Sequence, residues 1–338
     1  MGDIVATPNF HRLMKTVKDV VPLVEFGSAV TVDFRDRLVP AYSDVDSGYV
    51  FFEPPSGDQL NDYYQREYPQ IQAATGYYTP EADYDPWKNQ YYADNLLGTY
   101  TSIMSNLPRS SLELGCAYGG LVAEMANRGI AAKGSDINRD AISQGTKTRG
   151  NSNIFHADCL STVTDMDGQV DLIYSLGSLE HDPSMIKVIA ASRRRLTDKG
   201  VIFLMVPNAM YAGSVFGGFK NNWWVNYPQH LHMLSPGFIP ALCRNLGFLP
   251  VFWDTRILFE EQAQPAISGL FASDSHREIW NLLMLDAGLG MELNFALVPD
   301  SPFNMERFGK LTYDVGRTLE KARRHEVAIR RYLREARP

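Results

Sequence analysis

The 338-residue sequence has little cysteine, no long hydrophobic run and no excess of positive charge. Its cysteines, Cys116, Cys159 and Cys243, are too widely spaced for a disulfide framework or a zinc motif, which predicts reduced thiols in a cytoplasmic protein. No apolar stretch is long enough to span a membrane, and the N-terminal residues lack the apolar centre of a signal peptide. A formal net charge of −7 argues against nucleic-acid binding. We therefore expect no membrane partner and no nucleic-acid partner.

What the sequence does contain is an alternation of short apolar strands and amphipathic helices over residues 96–255. Strands separated by helices of this length predict βαβ units, and hence a parallel sheet with helices on both faces. Residues 1–95 add strand-like stretches and a helix N-capped by Ser56 or Asp58. Residues 256–338 end in a basic helical pattern. The prediction is a doubly wound α/β core whose N-terminal and C-terminal additions form a cap.

The segment 110–138, SSLELGCAYGGLVAEMANRGIAAKGSDIN, places a glycine cluster between an apolar strand and a helix. In a parallel α/β sheet such a turn lies at the ligand-binding edge, and its glycines allow the backbone to approach a ligand closely. The glycine spacing differs from the G-x-G-x-x-G of a dinucleotide site. Glu113, at the end of the strand, would repel a pyrophosphate and attract an ammonium or sulfonium group. A nicotinamide enzyme is therefore the weaker alternative.

The letters ELGCAYG resemble the Glu/Asp-x-Gly-x-Gly-x-Gly motif of the class I S-adenosylmethionine-dependent methyltransferases, with Ala117 in place of the middle glycine. Four more segments resemble that family in order: GSDI, HAD, DLIYSLGSLEH and LTDKGVIFLMVPN. The resemblance implies a Rossmann-like fold with S-adenosyl-L-methionine as cofactor. The cofactor contacts that it implies are Glu113, Gly115, Cys116, Ala117, Gly119, Asp136, Ile137, Asp158, Cys159, Leu176 and Gly177. Among them, Asp136 would accept hydrogen bonds from the ribose hydroxyls and Asp158 would lie near the adenine.

Two outer segments resemble the bacterial small-molecule and sugar branch of that family. They are GYVFFEPPSGDQLNDYYQREY before the core and HLHMLSPGFIPALCRNLGF after the fifth core strand. Relatives in this branch often carry paired cysteines upstream, as a small zinc ribbon. This chain has no cysteine before Cys116, so no zinc is predicted there.

Residues 207–232 are rich in glycine, asparagine and aromatic residues and have no helical period. Long irregular loops of this kind are often functional lids, so we expect this acceptor loop to cover the second substrate. The predicted acceptor contacts are Tyr211, Phe216, Trp223, Trp224, Tyr227 and His232.

Two histidines, His181 and His230, are candidates for a general base or for positioning the acceptor. A hydroxyl acceptor usually needs a base, and histidine is the side chain that titrates nearest neutral pH. His230 and His232 would share a face of an extended segment, but no cysteine or carboxylate adjoins them. No metal site is predicted on that ground.

These observations predict a methyltransferase (EC 2.1.1) that acts on a small-molecule acceptor. O-methylation of a hydroxyl, in a sugar or a natural-product intermediate, is the first hypothesis. Two alternatives stay open: non-methyl chemistry on the same fold, and a non-catalytic cofactor-binding subunit. Homo-oligomerisation also stays open, and the sequence does not specify the acceptor.

Overall fold

The computed structural model describes residues 29–34, 37–44, 49–68, 70–71, 79–211, 227–256, 288 and 290–310. The predicted basic C-terminal helix lies outside these residues. No helix within them has the length and apolar character needed to cross a bilayer.

The strands are β1 (Ala29–Phe34), β2 (Arg37–Asp44), β3 (Tyr49–Phe52), β4 (Ser110–Leu114), β5 (Ala131–Asp136), β6 (Ile154–His156), β7 (Val170–Leu176), β8 (Leu196–Pro207), β9 (His232–Met233), β10 (Phe248–Arg256) and β11 (Glu292–Pro299). The α-helices are α1 (Gly57–Asp62), α2 (Pro80–Asp83), α3 (Pro86–Met104), α4 (Gly120–Asn127), α5 (Arg139–Arg149), α6 (Cys159–Asp165), α7 (Met185–Ser192), α8 (Ile239–Leu246) and α9 (Pro302–Phe308). Short turns of other helix types cover Tyr63–Glu67, Leu179–His181 and Arg193–Arg195.

The main sheet has seven strands in the order β10–β11–β8–β7–β4–β5–β6. The pairs β4–β5, β5–β6, β4–β7 and β7–β8 are parallel, whereas β11 is antiparallel to both of its neighbours. The chain runs outward from β4 to β6 on one side, and from β7 to β8 on the other. The carboxyl ends of β4 and β7 therefore flank a topological switch point, which is where open α/β sheets bind ligands.

Helices cover both faces of this sheet, as the sequence predicts. Successive residues of β7 show the division, because side chains alternate between the faces of a strand. Ile173 joins the buried cluster that contains residues of α6, α7 and α8. Leu172 and Tyr174 join the cluster on the other face, with residues of α3, α4 and α5. Each fully buried aliphatic or aromatic side chain contributes about 1.5–3 kcal/mol relative to exposure, so these two layers hold the core together.

The core sheet extends beyond residue 255, into the segment expected to be an extension. All eight residues of β11 are buried, and the strand pairs with β8 on one side and β10 on the other. This strand was not predicted from the sequence, and nothing in its residues, ELNFALVP, indicates which sheet it joins.

A second, four-stranded sheet has the order β1–β2–β3–β9 and is antiparallel throughout. β9 comes from the other end of the acceptor loop, and it places His232 opposite Phe51 of β3. Ser56 begins α1 with a capping box that includes Gln59, which confirms the predicted N-cap. The turn Tyr63–Glu67 continues α1 and buries Tyr63 and Tyr64.

Candidate functional site

The glycine loop between β4 and α4 has a backbone that other residue types would distort. Gly115 has φ +80°, and a Cβ atom built on it would lie 1.8 Å from the Oγ of Ser178. Gly119 has φ +86°, and its added Cβ would lie 2.7 Å from the Cγ2 of Ile154. Ala117 itself has φ +49°, the left-handed region in which an L-residue is strained by roughly 1–2 kcal/mol. Only glycine fits the two flanking positions, and the loop retains some strain at Ala117.

Asp136, at the end of β5, holds this loop in place. Its Oδ2 accepts a hydrogen bond from the Ala117 N–H at 2.8 Å, and its Oδ1 accepts one from the Asn138 N–H at 2.7 Å. Burial raises the pKa of Asp136, while the two backbone hydrogen bonds and His156 act in the opposite direction. A carboxylate has about four lone-pair positions, so both oxygens can still accept bonds from a diol.

A cavity of about 330 Å³ lies at the carboxyl edge of the core sheet, beside the glycine loop. This volume is within the range of small-molecule sites. Of the predicted cofactor contacts, the cavity is lined by Gly115, Ala117, Asp136, Ile137, Asp158 and Cys159. Five segments that are distant in the sequence therefore share one cavity: the glycine loop, the ends of β5 and β6, the turn after β7, and the residues of α1 and the turn that continues it.

Asp158 caps α6 at the edge of this cavity. Its Oδ1 accepts a hydrogen bond from the Ser161 N–H, and its Oδ2 accepts one from the Ser161 hydroxyl. Burial alone would raise the pKa of Asp158, but the hydrogen bonds to Ser161 and to neighbouring backbone N–H groups together lower the pKa. The carboxylate is thereby fixed in orientation beside Cys159, which lines the same cavity.

The other predicted cofactor contacts do not line the cavity: Glu113, Cys116, Gly119, Leu176 and Gly177. Glu113 is 7% exposed, and the Tyr174 hydroxyl lies 3.4 Å from its Oε2. Burial and the nearby Asp83 raise the pKa of Glu113 well above its usual value. A direct contact between Glu113 and the cofactor therefore stays a prediction.

Residues at the end of α2 and after α5, which were not predicted to be functional, hold the glycine loop through hydrogen bonds. The Gly120 N–H, at the start of α4, donates a hydrogen bond to Asp83 Oδ2 at 2.7 Å. The Tyr84 hydroxyl donates to the Tyr118 carbonyl at 3.0 Å. From the opposite side, the Asn151 side chain donates to the Gly119 carbonyl at 2.9 Å. No local pattern marks Asp83, because its partner lies 37 positions away.

Asp83 supplies a prediction about stability and pH. Burial raises its pKa to about 6, against 3.8 for an ordinary aspartate, although the Gly120 hydrogen bond lowers it. The folded state therefore holds this proton more tightly than the unfolded state. The corresponding stability is present below about pH 4 and is lost as the pH rises through about 6. Asp83→Asn keeps an oxygen for the Gly120 N–H without the buried charge, so it should raise stability at pH 8 by about 1–2 kcal/mol.

Urea unfolding of Asp83→Asn and the natural protein at pH 5 and pH 8 measures this effect. Asp85→Asn is the matched control, because Asp85 is an exposed N-cap two residues away and asparagine caps helices equally well. The difference should be near zero for the control at both pH values, and for Asp83→Asn it should grow from pH 5 to pH 8. Equal differences at the two pH values would contradict the assignment.

The cavity wall nearest α1 is aromatic. Tyr64, Tyr68 and His181 line it, and the ring of His181 lies 6.1 Å from that of Tyr64 and 6.3 Å from that of Tyr68. The Tyr64 hydroxyl donates a hydrogen bond to the Gln229 carbonyl at 3.3 Å. This bond connects the turn that continues α1 to the end of the acceptor loop. His230 stacks on His181 with ring centroids 4.9 Å apart. The two predicted catalytic histidines are thus neighbours, and His181 faces the cavity.

Next to them lies Glu180, which is fully buried. Its Oε1 is 3.7 Å from His181 Nε2. Among the described residues, neither oxygen of the Glu180 carboxyl group has a hydrogen-bond partner, and neither does His181 Nε2. Burial raises the pKa of Glu180 to about 8, and burial together with His230 lowers the pKa of His181 well below its usual value.

Of the predicted acceptor contacts, Phe216, Trp223 and Trp224 lie outside the described residues. Tyr211 and Tyr227 are described but do not line the cavity. His232 is fully buried, and both of its ring nitrogens have protein partners: the Tyr49 hydroxyl at 2.7 Å and the Asp182 carbonyl at 3.0 Å. In this structure His232 joins the second sheet to the turn after β7.

Comparisons with known proteins bear on the core. A family model described as a methyltransferase domain matches residues 87–251. No curated protein sequence matches the chain.

Several solved structures are similar in fold. A SAM-dependent methyltransferase from Archaeoglobus fulgidus is 20% identical, with 62% of this chain and 93% of that chain covered and a TM-score of 0.45. The plantazolicin methyltransferase BpumL, in complex with SAH, is 15% identical, with 72% and 94% covered and a TM-score of 0.48. The [4+2]-cyclase SpnF is 18% identical, with 73% and 97% covered and a TM-score of 0.46. All three TM-scores are below 0.5, so these similarities do not contribute to the assignment of the domain to a family.

The assignment rests on the family match and on the site. The matched residues include the glycine loop and the two predicted cofactor carboxylates that line the cavity, Asp136 and Asp158. The close approach at Gly115 and the remaining lone pairs of Asp136 fit an adenosyl ligand. The core of this chain, matched over residues 87–251, is a class I S-adenosylmethionine-dependent methyltransferase domain with S-adenosyl-L-methionine as its cofactor.

Proposed function

We propose that the protein methylates a hydroxyl group of a small-molecule acceptor, of the sugar or natural-product type. One observation carries the proposal: the cavity that contains the cofactor-loop residues also has the aromatic wall of Tyr64, Tyr68 and His181. Flat apolar walls with few polar groups are the usual surroundings of a small organic ligand. An acceptor against this wall would lie in the same cavity as the cofactor.

The chain's own residues contribute mainly positioning. Asp136 and the glycine loop would hold S-adenosyl-L-methionine, which would supply an electrophilic methyl group to the acceptor oxygen. The proton of the acceptor hydroxyl would pass to water or to His181, the candidate base. Asp136 and the glycine loop hold one side of the cavity, and the aromatic wall orients the acceptor on the other. Holding two reactants in line removes most of the entropy cost of their encounter.

His181 is proposed to position the acceptor, because it is one of the residues that line the cavity. His230 is proposed to support it from behind through their ring stacking. The predicted contacts of Phe216, Trp223 and Trp224 with the acceptor remain part of the proposal.

The experiment is mass spectrometry after incubation with cofactor that carries a deuterated methyl group. A panel of hydroxyl, amine and thiol acceptors of similar size should show the labelled methyl on oxygen only. The Asp136→Ala variant is the control for enzyme-dependent transfer, because it should bind the cofactor more weakly and transfer less labelled methyl. A product that contains no cofactor methyl would instead support non-methyl chemistry, and a label on nitrogen or sulfur would overturn the choice of acceptor atom.

A further inference from the structure

Three side chains that could bind a metal ion converge at the His181 end of the aromatic wall. Glu180 and His181 belong to the short turn after β7, and His230 lies two residues before β9. One potential ligand atom from each lies within 4.8 Å of the others. The backbone holds the two segments together, because the Leu231 N–H donates a hydrogen bond to the Glu180 carbonyl at 3.0 Å. We propose that Glu180, His181 and His230 bind one divalent transition-metal cation of the zinc type.

The unpartnered atoms of Glu180 and His181 are the second, independent observation. Glu180 is fully buried, and neither its two oxygens nor His181 Nε2 has a hydrogen-bond partner among the described residues. A buried carboxylate left without a partner is costly, so such groups are normally hydrogen-bonded or coordinated. A cation between these side chains would satisfy both.

The spacing of the atoms is that of two donors on one cation. Glu180 Oε1 and His181 Nε2 are 3.7 Å apart, which is too long for a hydrogen bond. Zinc bonds nitrogen and carboxylate oxygen at about 2.0–2.2 Å, and two such bonds at an open angle separate their donor atoms by nearly this distance. A hydrogen bond between Glu180 and His181 would instead bring these two atoms to within about 3.2 Å.

The donor set selects the kind of cation. Two imidazoles and one carboxylate suit zinc and its first-row neighbours, whereas calcium and magnesium prefer sites made of oxygen. Three protein ligands leave coordination positions open, as in catalytic rather than structural zinc sites. Because His181 lines the cavity, an open position would face the acceptor side. This last step rests on the proposed function: a coordinated acceptor hydroxyl would lose its proton more easily.

Binding is tested on the full-length protein without cofactor or acceptor. After dialysis against a chelator, the protein is titrated with Co²⁺ and followed by visible absorption, and Zn²⁺ is then added to displace it. One equivalent of Co²⁺ should give ligand-field bands that Zn²⁺ removes. Glu180→Gln and His181→Asn should each weaken Co²⁺ binding by at least about tenfold.

Two variants serve as matched controls and should bind as the natural protein does. Asp171→Asn removes another buried carboxyl group, at the opposite end of β7 from the cluster, and His156→Asn removes an exposed imidazole. Circular dichroism and melting identify a variant that does not fold, and the natural-protein titration stands without any variant. Absence of bands in the natural protein, or equal affinities in the cluster and control variants, would overturn the site.

The two proposals fail differently. If Co²⁺ does not bind but labelled methyl still appears on oxygen, the metal site is wrong and the proposed function stands. If Co²⁺ binds with one equivalent and no acceptor is methylated, the site stands and the reaction is wrong. If the cation binds but its removal leaves methyl transfer unchanged, its role in coordinating the acceptor is overturned.

Discussion

Gly115→Ala is expected to lower the free energy of unfolding by about 2–5 kcal/mol and to abolish measurable cofactor binding. Two costs add at this position. The left-handed backbone at φ +80° strains any residue with a Cβ atom, and the added atom would lie 1.8 Å from Ser178 Oγ. Relief of that contact requires the loop to move away from the turn after β7. Because both segments line the cavity, the movement would change the cofactor site.

Gly129→Ala separates the two costs. Gly129 has φ +82°, nearly the same backbone, but nothing lies within 4 Å of its added Cβ. The Gly129→Ala variant should lose only the free energy that comes from backbone strain, about 1–2 kcal/mol, and should bind the cofactor normally. The double variant Gly115→Ala/Ser178→Gly removes the clashing side chain and should recover part of the lost stability. Urea unfolding and calorimetric titration with the cofactor measure both effects, and equal losses in Gly115→Ala and Gly129→Ala would refute the steric explanation.

Asp136→Ala is expected to weaken cofactor binding by about 1.5–3 kcal/mol, which is roughly tenfold to 150-fold in the dissociation constant. The carboxylate lines the cavity and accepts the N–H groups of Ala117 and Asn138. Its removal takes away both the acceptor for a ligand diol and the support of the loop. Asp165→Ala, which removes an exposed carboxylate at the end of α6, should bind the cofactor normally.

Calorimetric titration of the folded variants decides the question. An unchanged affinity in Asp136→Ala would remove Asp136 from the cofactor site. The same titration of Glu113→Gln tests the second predicted carboxylate. A comparable loss would indicate that the Glu113 carboxyl group contacts the cofactor, whereas normal affinity would leave it as a buried neighbour of Tyr174.

Local patterns predicted the core well, for a physical reason. Parallel strands and the helices between them need apolar residues at regular intervals, so the alternation is visible in the sequence. The glycine loop was visible too, since positive φ angles select glycine. Ser56 could be predicted because its capping partner Gln59 lies only three residues away.

The features that were missed depend on contacts between distant residues. The hydrogen bond from Gly120 to Asp83 spans 37 positions, and no periodicity encodes it. β11 was not predicted, and its place between β8 and β10 depends on which sheet edge was open to it. His230 and His232 were expected to share a face. In the structure His230 stacks on His181, whereas His232 bonds to Tyr49 and to the Asp182 carbonyl.

The sequence by itself determined the class of the core, the position of the glycine loop and the carboxylates at the strand ends, because each follows from spacing within one element or one turn. Only the tertiary structure decided which of these groups face the cavity. It brought Glu180 and His181 together with a histidine fifty positions later in the chain, at a distance set by strand order and by the Leu231 hydrogen bond. Sheet order and burial determine which distant residues come into contact, and neither is a local property of the chain.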